Sequence, residues 1–148
     1  MIDYDALTNE LATEEGFVSY PYDDANDERL RPGVTIQGTP TFGHGLTFLT
    51  EDESRVVVGM RVKKVYAELI GAAPWIENLS EARQRALTDM AYNLGVGNSQ
   101  KGLMSFNIFL SLMEAGQYEE AADDLTKTKW AQQVKSRSTI IEDMIRNG

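Results

Sequence analysis

The sequence predicts an α+β fold, a small β lobe set among helices, from three observations. Apolar residues recur at helical spacing near the start, Phe17 to Leu49 turns to Gly, Pro, Thr, Asp and β-formers, and helical stripes return from Ser80 onward. With 148 residues, the chain fits one domain or two small lobes sharing a core. Its 42% hydrophobic and 25% charged content is that of an ordinary globular protein.

The first element is a helix over Asp3–Glu15, with Tyr4, Leu7 and Leu11 on one stripe and Gly16 as its stop. The Phe17–Leu49 stretch reads as an antiparallel hairpin or small sheet. Thr50-Glu51-Asp52-Glu53 is a capping box that opens a long helix to about Ile70. Its stripe is Val58, Val62, Val65, Tyr66 and Leu69, and Gly71 and Pro74 end it. Ala86, Leu87, Met90 and Leu94 mark a further helix closed by Gly95, and Phe106, Phe109, Leu110 and Met113 another closed by Gly116. Two more follow over Tyr118–Thr126 and Arg137–Ile145. Two lobes joined by a long helix, with a cleft between them, would suit a polymeric substrate.

Composition excludes several classes of function. The net charge of −9 offers no basic face for nucleic acid and none for anionic membranes. The longest apolar runs, such as Val56–Met60, are too short to span a bilayer. The start has neither a basic nor an apolar leader region, so no secretory signal is expected. With no cysteine and one histidine, His44, neither a thiol nucleophile nor a multi-ligand zinc site can be built. The acidic run Asp23–Glu28 lacks the glycine and the final Glu of a calcium loop and reads as a solvated turn. Neither a metal nor a cofactor is expected.

Carboxylates remain plentiful, and glycoside hydrolysis needs little else. One carboxylic acid protonates the leaving oxygen while a second carboxylate activates water or attacks the sugar. The acid must hold its proton near working pH, which apolar burial favours. Glu14 and Glu15 both stand at the end of the first helix beside its stripe, about 20° from Leu7 and about 40° from Leu11 at 100° per residue. Periodicity does not choose between them.

These elements together resemble the phage lysozyme family, glycoside hydrolase family 24. The resemblance rests on Glu15-Gly16, Tyr22-Asp23-Asp24 and Thr41-Phe42-Gly43-His44-Gly45. In the second half it rests on Arg85-Ala86-Leu87, Met90-Ala91-Tyr92-Asn93-Leu94-Gly95, Tyr118–Ala122, Lys129-Trp130 and Arg137. It implies a lysozyme-like single domain over 1–148, with a small lobe at about 14–50, a connecting helix at about 51–70, and a helical lobe from about 1–13 and 75–148.

The resemblance implies a muramidase that hydrolyses the β-1,4 bond between N-acetylmuramic acid and N-acetylglucosamine in peptidoglycan, with inversion. Glu15 would be the general acid, Asp24 would position or activate water, and Thr41 would help to hold that water. Tyr92 and Asn93 would line the sugar cleft, and Arg137 would pair with the acid. The partner would be glycan strands, met by a monomer made in a host cytoplasm and released through a holin or carried by a virion. Two other readings stand beside this one: a lytic transglycosylase on the same bond, and a non-catalytic wall-binding virion module.

Three departures from the family pattern matter. The family's His follows the second glycine, where Leu46 stands, whereas His44 lies between the glycines and reads as a partly exposed turn residue. Asn26–Pro40 lengthens the segment before Thr41, which leaves Asp23 or Thr35 as fallbacks. Arg137 beside the acid would lower its pKa, opposing the need for a retained proton. Trp130 and Tyr92 read as packing residues before sugar platforms.

Overall fold

The structure is a computed structural model, and it describes residues 2–148. Among these, seven α-helices accompany one three-stranded antiparallel sheet, the expected α+β layout. The chain divides into two compact units, residues 1–55 and 56–148, with the division falling inside the second helix. This grouping puts residues 1–13 with the sheet, whereas the resemblance puts them with the helical lobe.

The first unit opens with α1, Tyr4–Glu15. Asp3 caps it by accepting from the backbone N–H groups of Asp5 and Ala6, at 3.1 and 3.0 Å. The stripe predicted on α1 is present, but no α1 residue is buried: Tyr4, Leu7 and Leu11 are all exposed. Three strands follow, β1 (Val18–Asp23), β2 (Glu28–Arg29) and β3 (Pro40–Gly43), in the order β2-β1-β3. Tyr22 pairs with Arg29 on one side and Thr41 on the other, and Asp23 with Glu28 and Pro40. The β1–β3 register slips between Val18 and Tyr22, where Pro21 has no N–H to give to the ladder. The Asp23–Glu28 turn closes with Asp27 at φ 57°, a conformation Asp tolerates, and Asn26 Oδ1 accepts from Glu28 N–H at 2.9 Å.

The long helix α2 runs over Glu51–Ala72. The capping box forms as predicted: Thr50 N–H donates to Glu53 Oε2 at 2.8 Å, and Glu53 N–H to Thr50 Oγ1 at 3.3 Å. Gly71 does not stop the helix, which continues to Ala72 before a 3-10 turn at Pro74–Asn78. An isolated glycine inside a helix costs only about 1 kcal/mol, and the ring of Pro74 is the stronger terminator.

The second unit adds α3 (Glu81–Leu94), α4 (Asn107–Glu114), α5 (Tyr118–Thr126), α6 (Lys129–Val134) and α7 (Ser136–Asn147). Every buried apolar side chain among the described residues belongs to this unit, from Leu69 to Ile145. Ala86, Leu87, Met90 and Ala91 of α3 meet Phe109 and Met113 of α4, Ala121 and Leu125 of α5, and Ile141 and Ile145 of α7 in one cluster. Arg83 ties α3 to the end of α7 by donating to the carbonyls of Ile145 and Arg146 at 2.8 and 3.2 Å. Its guanidinium also lies 3.6 Å from the centre of the Tyr118 ring. The sequence reading missed α6, a short helix that Thr128 caps through the N–H of Ala131 at 3.1 Å.

Phe109 is fully buried, so Phe109→Ala leaves a cavity that its neighbours fill only in part. The expected cost is about 3–5 kcal/mol, read as a lower urea midpoint with an unchanged denaturant slope.

Candidate functional site

Glu15 is the last residue of α1, and Gly16 ends the helix at φ 66°. The sequence reading expected the acid to be sheltered among apolar groups. Instead Glu15 is exposed, as are the three residues of its stripe. The Gly45 backbone comes close to its carboxylate: a Cβ added at Gly45 would lie 2.6 Å from Glu15 Oε2 and 3.1 Å from its Cδ. Gly45 also has φ 68°, so glycine is needed there both for conformation and for room. The turn that carries it is closed by paired bonds, Phe42 N–H to Leu46 O at 2.8 Å and Leu46 N–H to Phe42 O at 2.9 Å.

His44 corrects the reading of a turn residue without a tie. It is exposed, but its Nδ1 lies 2.8 Å from the Gly16 carbonyl oxygen. Its ring also sits against Phe17, with centroids 5.3 Å apart. The turn between the two glycines is therefore fastened to the residue that follows Glu15.

Asp23 corrects a second reading. It belongs to the acidic run taken as solvated, yet it is fully buried. Its carboxylate accepts backbone N–H groups from Ala25 at 3.1 Å, Gln37 at 2.6 Å and Gly38 at 2.8 Å. The Asp23 side chain thus closes the inserted segment onto the end of β1. Gly38 is required by proximity: a Cβ there would lie 2.1 Å from Asp24 Oδ1 and 2.8 Å from Asp23 Oδ1.

Asp24 is exposed, and its Oδ1 accepts from Thr39 N–H at 2.5 Å. Asp24 N–H in turn donates to Thr39 O at 3.2 Å. The same carbonyl accepts the hydroxyl of Thr41 at 3.1 Å. Thr41 is buried on β3, so Thr39 joins both predicted residues. The hydroxyl proton of Thr41 is committed to that carbonyl, which leaves its oxygen lone pairs as acceptors. Thr35, a fallback for Thr41, is exposed on the inserted loop and has no side-chain hydrogen bond.

The second unit holds the remaining predicted residues. A pocket of about 440 Å3 is lined by Val58, Val62 and Tyr66 of α2, by Arg85, Thr88, Asp89 and Tyr92 of α3, and by Arg137 of α7. Tyr92 and Arg137 therefore meet in one place. Arg137 has a partner that the sequence reading did not foresee, donating from Nε to Asp89 Oδ1 at 2.7 Å. That hydrogen bond is the main reason the Arg137 pKa is raised above its ordinary value. Asn93 faces elsewhere, and its Oδ1 accepts from the indole N–H of the buried Trp130 at 2.9 Å. The bond leaves the Asn93 amide donors unspent and identifies Trp130 as packing.

Asp23, Thr39, Gly38 and His44 are the residues that sequence reasoning missed. Only Asp23 carried a signal, as the fallback for its neighbour. Among the described residues, no cluster of three or more His, Asp or Glu side chains is arranged to hold a metal ion.

The Asp23 clamp has a signed dependence on pH. The bond from Gln37 does most to hold its pKa below the ordinary 3.8; burial pushes the other way, and Ala25 and Gly38 assist the lowering. A carboxylate depressed in the folded state stabilises above its unfolded pKa, and that contribution is lost as pH falls through the folded value. Asp23→Asn should therefore flatten the acid limb of the stability curve below about pH 4. At neutral pH the same variant should speed hydrogen exchange at the Gln37 and Gly38 amides by at least about tenfold. Unchanged exchange would show that the clamp is not needed.

Comparison with known proteins adds a family to this geometry. The family model for phage lysozyme matches residues 12–142. A stretch of 75 residues is 35% identical to the pre-baseplate central spike protein Gp5 of Enterobacteria phage T4, covering 51% of this chain and 12% of that protein. A stretch of 72 residues is 29% identical to the "Probable T4-type lysozyme 1" of Dictyostelium discoideum, covering 49% of this chain and 40% of that protein. Both matches thus take in about half of this chain and less than half of the relative. The family match spans both units and most of the chain: the protein belongs to the phage lysozyme family.

Proposed function

We propose that the protein is a muramidase that hydrolyses the β-1,4 bond between N-acetylmuramic acid and N-acetylglucosamine, with Glu15 as general acid. The observation that carries this reading is the make-up of the first unit, within a family match over residues 12–142. There a helix-end carboxylate lies against the glycine turn, while Asp24 and Thr41 are joined through Thr39.

Each residue has a chemical task in this scheme. Glu15 gives its proton to the glycosidic oxygen as the bond breaks. Its exposure means that the bound glycan must supply the shelter, because displacing water from a carboxyl group penalises its charged form. Asp24 takes a proton from the attacking water, and Thr41 accepts a hydrogen bond from the same water. Tyr92 and Asn93 are proposed as glycan contacts of the second unit. Arg137, proposed to support the acid, keeps donors free beyond the one engaged by Asp89. No cofactor enters this chemistry. The protein would act as a monomer on the wall, after release through a holin or delivery in a virion.

Incubation with purified sacculi and mass spectrometry of the products tests the reading. Reducing ends are expected; anhydro ends would identify a transglycosylase, and binding without turnover a wall-binding module. Glu15→Gln should cut the rate by roughly 100- to 10,000-fold with the melting curve unchanged. Wild-type clearing by that variant would remove Glu15 from the scheme.

A further inference from the structure

We infer that His44 is a positioning residue for Glu15, acting through the Gly16 carbonyl. The inference rests on the reading of Glu15 as the acid and adds the device that sets its place relative to the glycine turn. Two contacts join the same turn to the same helix end. Gly45 brings backbone against the Glu15 carboxylate, within the space a Cβ would need. One residue earlier, His44 Nδ1 lies 2.8 Å from the oxygen of Gly16, the residue after Glu15.

The turn itself is tight. Its ends are closed by the Phe42–Leu46 pair, and Gly43 and Gly45 stand at φ 63° and 68°. On the strand side it continues into Thr41, which is buried and bonded to Thr39. Holding His44 to Gly16 therefore fixes the helix end that carries Glu15 against the strand that carries Thr41. The backbone pairing of Val18 with Gly43 joins the same two stretches, and neither α1 nor the sheet adds a buried apolar side chain.

The chemistry fixes the tautomer. A carbonyl oxygen only accepts, so Nδ1 must carry the proton, and in the neutral ring Nε2 is bare. The Phe17 ring, 5.3 Å away, limits the ring's freedom to turn. His44 is not placed to touch the reacting atoms; it acts through Glu15.

Two measurements test this. Because the chain has one histidine, a long-range 15N–1H NMR spectrum reports on His44 alone. In mildly alkaline buffer, where an ordinary imidazole is neutral, the Nδ1–H tautomer is expected, and the Nε2–H tautomer would overturn the inference. In kinetics on sacculi, His44→Ala should lower kcat about 10- to 100-fold, as displacement of a reacting group does, with KM changed less than about twofold. His44→Asn places an amide N–H where Nδ1–H stood and should recover kcat to within about threefold of wild type. A His44→Ala variant with wild-type kcat would overturn the inference while leaving Glu15 as the acid. Wild-type protein that never cleaves sacculi would overturn both.

Discussion

A unit with no buried apolar side chain among its described residues must hold its shape by other means, and here Asp23 provides them. Its carboxylate sits fully buried at the end of β1 and gathers three backbone N–H groups, two of them from the far end of the inserted segment. Burying a charge is costly unless hydrogen bonds replace its water, and three donors meet that condition. The arrangement has no slack, since Gly38 passes between two carboxylates where a methyl group would not fit. Asp24, Thr39 and Thr41 all take their places from this closure.

The same closure explains how the segment between Asp24 and Thr41 can be long without separating them. Loop length weighs little on stability once the ends are held, because closure entropy grows only slowly with length. The ends here are held twice, by Asp23 on Gln37 and Gly38 and by the reciprocal Asp24–Thr39 bonds. Despite the length of the loop, Asp24 and Thr41 remain joined through Thr39.

The sequence was most legible where a local rule operates alone. The Thr50–Glu53 capping box, the end of α1 at Gly16 and the helical stripes of the second unit depend on neighbours three or four residues apart. Gly71 misled because one glycine is a weak terminator beside a proline. For the candidate site, residue type and order carried the resemblance that proposes Glu15, Asp24 and Thr41, but the contacts around them were not legible. Asp23 and its donors at Gln37 and Gly38 lie 14 and 15 residues apart, and His44 reaches back 28 residues to Gly16. Periodicity has no reach over such distances, so a buried carboxylate in an acidic run looked like a solvated one. Asp89 stayed hidden for the same reason, since it lies 48 positions from Arg137.

The exposure of Glu15 bears on the acid role proposed for it. A general acid sheltered by its own helix would keep its proton before the substrate arrives. Glu15 is exposed, and the Gly45 backbone that approaches its carboxylate adds no formal charge. Under the proposed function the bound glycan would supply the desolvation, which would couple proton retention to binding. Binding energy spent in that way raises the turnover rate, provided the carboxyl lies where the sugar will meet it. An exposed side chain at a helix end has no packing to keep it there, so its position depends on backbone anchors. In the first unit those anchors include the Val18–Gly43 pairing and, on the same tight turn, a glycine and a histidine.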